Sequence, residues 1–288
     1  SLDAINVSLE NGVSIYDFTS SPPNYEDEYE DEEFIQTLYD IKYSIVDKWN
    51  GELIWEYSYP FPKGSKTLGG PTRNIAIYED KIFMATYDAS LIALDIKTGK
   101  LQWKTKKANF KDGYTHTSGP IVANGVIVSG INGCERYIEE GCFITGHDPE
   151  NGEELWRTST IANPGDEYGD TWGNTDKVFR AGGDTWIPGS YDPELNLFFI
   201  GTSQAKPWVA DSRGMSTEDS ALYTNSTLAI NPNTGKIEWF YQHIPGETID
   251  MEVGFERVLV NNKNQKLLYT IGTVSYTHLR AHETLRYL

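Results

Sequence analysis

The chain is short of positive charge, of cysteine and of long apolar runs, and each shortage removes a class of protein. Lysine and arginine total 24 against 42 aspartate and glutamate, for a formal charge of −18. Nucleic-acid binding needs clustered Lys and Arg to neutralise phosphates, so no nucleic-acid partner is expected. No apolar stretch approaches the roughly 18 residues of a membrane span, so none is expected. An initiator methionine and a signal peptide are both missing, and the start at Ser1 reads as a processed or truncated end. The only cysteines, Cys134 and Cys142, are separated by seven residues and lack the paired C-x2-C spacing of a zinc site. A short-loop disulfide and two buried thiols both remain open; the disulfide would imply an oxidising compartment.

What is abundant is aromatic residue and glycine: 8 Trp, 18 Tyr and 11 Phe with 26 Gly and 13 Pro. That mixture suits short strands joined by tight turns better than a helical bundle. An all-β fold is expected, with the 288 residues leaving one large domain or two smaller ones open.

The strongest signal is internal repetition. Asn50-Gly51-Glu52-Leu53-Ile54-Trp55 is followed by Thr98-Gly99-Lys100-Leu101-Gln102-Trp103, Asn151-Gly152-Glu153-Glu154-Leu155-Trp156 and Thr234-Gly235-Lys236-Ile237-Glu238-Trp239. Each glycine follows a polar Asp, Asn or Thr stretch, which reads as a strand, a turn requiring positive φ, and a second strand ending on the Trp. Further strand-like runs, Asn74 to Tyr78, Lys81 to Thr86 and Ser90 to Leu94, give about four strands per unit. Units repeating at 48 and 53 residues suit the four-stranded blades of a β-propeller, with Gly serving the turn and Trp wedged between blades. The third interval widens to 83 residues, so about 30 are inserted there, where function is expected.

Two segments stand apart. Tyr25 to Glu33 is a run of carboxylates, read as a solvated loop in preference to a docking or cation-attracting patch. From Val274 the chain looks like a translated sequencing adapter, so residues 1–273 form the expected domain and 274–288 a non-native tail; His278 and His282 are not read as a metal motif.

The Gly-x-x-x-Trp copies with the lead-in Ala93-Leu94-Asp95, then Ala181 to Trp186, Gly189 to Leu197 and Gly201 to Trp208, resemble the tryptophan-docking repeats and cofactor-pocket stretch of dehydrogenases of the methanol and ethanol type that use pyrroloquinoline quinone (PQQ). The resemblance runs from about Asn50 to Thr273, and four repeats correspond to about half of an eight-bladed propeller. It implies that Trp186 stacks on the flat quinone, as a rigid aromatic face can at low entropic cost. Arg73 would meet a PQQ carboxylate as a charge-assisted pair. Thr117, Asn132, Gly133 and Cys134 would line the pocket. Glu135 and Gln204 take the positions of metal-binding Glu and Asn, oxygen donors suited to Ca²⁺. Asp250 takes that of the catalytic base, and Glu252 that of an additional acid in lanthanide-dependent relatives. The family's adjacent cysteine pair is absent; Leu68-Gly69-Gly70-Pro71-Thr72 stands there.

The resemblance implies a periplasmic enzyme that oxidises a small primary or secondary alcohol to an aldehyde or ketone with PQQ and Ca²⁺, or a lanthanide ion, passing electrons to a cytochrome c. The alternative is a non-catalytic propeller scaffold for protein binding, which explains the repeats but not the clustered site residues.

Overall fold

The computed structural model describes residues 7–8, 13–18, 41–47, 50–60, 62, 73–135, 137–262, 265–272 and 276–280. The acidic run Tyr25 to Glu33 and the segment Leu68 to Thr72 lie outside them.

The repeats become antiparallel sheets. The first holds β1 (Val7–Ser8), β2 (Val13–Phe18), β3 (Ile41–Asp47) and β4 (Leu53–Tyr59), and the second β5 (Ala76–Tyr78), β6 (Lys81–Thr86), β7 (Ser90–Asp95) and β8 (Leu101–Lys106). The third holds β9 (Ile121–Ala123), β10 (Val126–Ser129), β11 (Phe143–His147) and β12 (Glu154–Ser159). After β13 (Ala181–Gly182), the fourth holds β14 (Ser190–Asp192) and β15 (Leu197–Gly201) and, after β16 (Ala205–Lys206), β17 (Ser226–Ile230) and β18 (Ile237–Gln242). A last sheet pairs β19 (Val258–Asn262), β20 (Gln265–Ile271) and β21 (Tyr276–Arg280). β21 falls in the stretch read from sequence as a tail; it pairs with β20 from Leu267↔Arg280 to Ile271↔Tyr276.

Strand alternation stacks the sheets face to face. Ile82 and Met84 pack with Tyr43, Ile45 and Trp55 of the first sheet, while Phe83 between them packs with Ile127 of the third. Phe198 and Ile200 likewise meet Val126, Val128 and Trp156, and Phe199 turns the other way to Leu268. Period two thus buries both faces of the middle strands, and β6, β11 and β17 are buried throughout. The first strands of successive sheets, β5, β9, β14 and β19, lie against one another. That places their connecting loops together, which positions the site.

The joints explain the repeat. Trp55, Trp103 and Trp156 each donate Nε1–H to a carbonyl in the next sheet's turn, Ile96, Pro149 and Pro232, at 2.9, 3.0 and 2.7 Å. The indoles lie over Gly99, Gly152 and Gly235, where a Cβ would fall 2.5–2.6 Å from the nearest atom. The turns are set by a side-chain oxygen: Asp95 Oδ1 accepts from the Lys97 and Thr98 amides, and Asp148 Oδ1 from those of Glu150 and Asn151. The Trp does not end its strand as expected from sequence. It sits third in each outer strand, opposite Ile45, Ala93, Gly146 or Ala229, one step from a register shift. Beyond it the strand continues as exposed alternation, Lys104-Thr105-Lys106 in β8, which carries little apolar signal.

The widened interval is two excursions, residues 160–189 before β14 and 202–225 between β15 and β17. They share a core of Ile161, Trp172, Ala205, Met215 and Leu222 and are tied by the β13–β16 pair.

Candidate active site

Three backbone segments run side by side at this end of the sheets. Thr185 N donates to Ile131 O at 3.1 Å, Gly182 N to Cys134 O at 3.1 Å, Ser203 N to Asp184 O at 2.9 Å and Gly183 N to Gln204 O at 3.2 Å. Gly182 makes this possible: at φ +98 its added Cβ would stand 2.2 Å from Gln204 O. Residues 131–135, 181–186 and 203–206 therefore present their side chains together.

Asp184 is the keystone of that seam. It is buried, and its Oδ1 accepts from the Gly133 and Cys134 amides at 2.9 and 3.2 Å. Its Oδ2 is buried with no partner among the described residues. Burial first, then the nearby Glu135 carboxylate, push its pKa up to about 6. Cys134 and Cys142 form a disulfide with Cα atoms 5.3 Å apart, closing the loop on which Glu135 stands. The ligand atoms of Cys134, Cys142 and Asp184 lie within 4.8 Å of one another, but the bonded sulfurs leave only the carboxylate for a metal.

Glu135 is half-exposed and pairs with Lys206 Nζ at 3.4 Å. The same ammonium lies 3.7 Å from Asp250 Oδ1. Gln204 is buried; its Nε2 donates to Asp250 Oδ1, and its Oε1 has no partner among the described residues. The Asp250 loop is held by Glu247, whose Oε1 accepts from the Ile249 and Met251 amides at 2.6 and 2.9 Å. Asp250 itself adopts φ +64, a left-handed backbone that Asp enters more readily than most residues.

Glu252 turns inward and its Oε1 accepts the Trp186 indole N–H at 2.6 Å. Burial raises its pKa, and the indole hydrogen bond and Lys206 oppose the rise. Trp186 is partly buried, meets Phe255 edge-on at 5.5 Å between ring centres, and carries the Arg73 guanidinium 5.0 Å from its own centre. Arg73 Nη1 also donates to Thr117 O at 3.2 Å, and burial lowers its pKa. Thr117 Oγ1 reaches the Trp186 carbonyl at 3.4 Å, and its amide donates to Asn132 Oδ1 at 3.1 Å.

The structure therefore brings Glu135, Gln204, Asp250, Glu252 and Trp186 together, with Arg73 and Thr117 behind the indole. Asn132, Gly133 and Cys134 enter through backbone support. Asp184 and Lys206 were not singled out from sequence; both lie inside the stretches quoted for the family resemblance, at positions whose significance comes from contacts between distant segments.

These residues suit a hard cation next to a planar anionic ring. All donors are oxygen, two buried oxygens, Asp184 Oδ2 and Gln204 Oε1, lack partners among the described residues, and one indole face carries a guanidinium.

The fold and site define an all-β domain of face-stacked four-stranded sheets with an oxygen-donor cluster where their inner loops converge. Residues 34–270 match the PQQ family described as the glucose/ethanol/alcohol dehydrogenase β-propeller domain, and the chain belongs to that family. It is 32% identical over 237 residues to the quinoprotein alcohol dehydrogenase PedH of Pseudomonas putida, covering 76% of this chain and 38% of the relative. It is 33% identical to the quinohemoprotein alcohol dehydrogenase ADH IIB of Pseudomonas putida, covering 77% of this chain and 34% of that one. Among solved structures it resembles a europium-containing methanol dehydrogenase, with TM-score 0.72 and 26% identity over 81% of this chain and 44% of that chain. The chain thus spans about two fifths or less of the curated relatives it matches. Among the described residues no helix is long and apolar enough to cross a membrane.

Proposed function

We propose that the chain is part of a PQQ-dependent alcohol dehydrogenase, its sheets forming about half of an eight-bladed propeller joined by tryptophan docking. Residues 1–273 would be the dehydrogenase domain and 274–288 an adapter-derived tail. The observation that carries the functional reading is the convergence of Glu135, Gln204, Asp250 and Glu252 with Trp186 from four separate segments.

In this reading Trp186 would supply the stacking face, and Arg73, which lies 5.0 Å from the same indole, would pair with a carboxylate of the ring. Thr117, Asn132, Gly133 and Cys134 shape the pocket wall. Glu135, Gln204 and Glu252 hold the cation, Ca²⁺ or a lanthanide. When bound, PQQ supplies the hydride acceptor and the cation polarises it. Asp250 Oδ accepts the hydroxyl proton of the alcohol, and the Gln204 amide orients that carboxylate by donating to it. Glu252 fixes the indole by taking its N–H. Asp184 holds the disulfide loop and hence Glu135. The product is an aldehyde or ketone, and electrons pass to a cytochrome c in the periplasm; the disulfide is consistent with an oxidising compartment.

The test is reconstitution of the intact protein with PQQ and Ca²⁺, read by the quinone absorbance and alcohol-dependent dye reduction. Asp250→Asn should keep the absorbance of bound PQQ and lower turnover by at least about a hundredfold. Absence of PQQ binding favours the scaffold alternative; undiminished turnover in Asp250→Asn removes the general-base assignment.

A further inference from the structure

We propose that Lys206 is the fixed counter-cation of the carboxylate cluster and a specificity-determining residue that biases the site toward divalent over trivalent ions. The inference rests on the cation site proposed above and deepens it.

Four carboxylates share this ammonium. Lys206 Nζ pairs directly with Glu135 at 3.4 Å and Asp250 at 3.7 Å. Its charge is also felt at Asp184 and Glu252. The side chain is largely buried, 17% exposed, whereas its two direct partners are 55% and 51% exposed. It is not a loose surface lysine, because its backbone sits on β16, paired Ala181↔Lys206 with β13. That ladder is locked by the close approach of Gly182 to Gln204. A second observation points to a ligand beyond the lysine: Asp184 Oδ2 and Gln204 Oε1 stay buried and, among the described residues, unpartnered although an ammonium stands in the same cluster. Lys206 therefore neutralises part of the acidic charge without satisfying the donor set.

An ion held by Glu135, Gln204 and Glu252 must share Glu135 with the ammonium, which stands in the same cluster beside Asp250, and it bears the ammonium's repulsion. The repulsion scales with ion charge, so a fixed +1 handicaps a +3 ion more than a +2 ion of similar size. Within about 6 Å in a partly buried site, one unit of extra ion charge corresponds to roughly tenfold or more in relative affinity. The fourth carboxylate, Asp184, pulls toward higher ion charge, and the lysine sets the balance against it.

The experiment measures Ca²⁺ and Tb³⁺ binding to the intact PQQ-loaded protein by equilibrium dialysis with metal analysis, in wild type, Lys206→Met, Lys206→Gln and Lys206→Arg. Both neutral variants should tighten both ions and raise the Tb³⁺-to-Ca²⁺ affinity ratio by at least about tenfold. Lys206→Arg, which keeps the charge, should hold the ratio within about threefold of wild type. An unchanged ratio in both neutral variants, with ions still bound, overturns the lysine's role and leaves the cation site standing. If no variant, wild type included, retains either ion, the cation site itself is wrong and the lysine's role falls with it.

Discussion

The wedge of an indole against a glycine can be separated from the backbone demand of that glycine. Gly152 and Gly214 have nearly the same backbone, φ +75 and +69, but different surroundings. An added Cβ at Gly214 meets nothing within 4 Å, whereas at Gly152 it would stand 2.5 Å from Thr105 Oγ1 and 2.6 Å from Trp103 Cε3. Alanine in a left-handed backbone costs about 1–2 kcal/mol, partly offset by a stiffer unfolded chain. Gly214→Ala should therefore cost about 1 kcal/mol. Gly152→Ala adds overpacking of about 1–3 kcal/mol. It also loosens two hydrogen bonds across the joint, Trp103 Nε1 to Pro149 O at 3.0 Å and Thr105 Oγ1 to Gly152 O at 2.8 Å, each worth about 1 kcal/mol. The expected cost is about 3–5 kcal/mol, read as the shift in urea midpoint at constant slope. Because the Trp103 ring is one of the two groups the added Cβ meets, beside Thr105 Oγ1, Trp103→Ala and Gly152→Ala should be less damaging together than their sum by about 1–3 kcal/mol. Equal midpoint shifts for the two glycine variants, or strict additivity with Trp103→Ala, would refute the wedge.

Other perturbations probe the site. The carboxyl of Asp184 has a folded pKa of about 6 against an ordinary 3.8. In metal-free protein its protonated form contributes stability that is fully present below pH 4 and lost as pH rises through 6, about 3 kcal/mol in all; Asp184→Asn should flatten that loss, and superimposable pH profiles would refute it. An added Cβ on Gly254 would fall 2.6 Å from Trp186 Nε1, so Gly254→Ala should break the bond to Glu252 and weaken PQQ affinity at least about tenfold, checked by titrating the quinone absorbance. Replacing Cys134 and Cys142 together with Ser should cost about 2–3 kcal/mol in thermal or urea unfolding; an unshifted transition would show that the loop is held without its disulfide.

The sheets were legible because one joint is built several times from the same parts. A left-handed turn needs Gly, the turn is set by a side-chain oxygen, and the wedge needs Trp, so the chemistry recurs at blade spacing in a single sequence. Strand ends were less legible. In β8 the residues beyond Trp103 are Lys104, Thr105 and Lys106, and their strand state comes from pairing with β7. The insertion was visible as extra length, but not as two excursions; that division depends on Ala181↔Lys206 and Gly182↔Ala205 pairing across more than 20 residues.

Within the site the same distinction holds at finer scale. Trp186, Glu135, Gln204 and Asp250 were singled out through the resemblance of their stretches to a known family, and the structure brings them together. Asp184 and Lys206 lie in the same stretches, yet what they do is defined elsewhere. Asp184 matters because the 133–134 amides point at it, and Lys206 because loops 71 and 44 residues away in sequence deliver Glu135 and Asp250 to its ammonium. A buried carboxyl bonded to two amides and still carrying an unpartnered oxygen is costly to desolvate. The sheets are tied to one another separately, through the indole hydrogen bonds of Trp55, Trp103 and Trp156, while the convergent loops hold like charges close together. The concentration of acid where these loops converge is thus set by contacts between distant segments, and Asp184, the carboxyl that ties two of those segments, has little to show in a local reading of the chain.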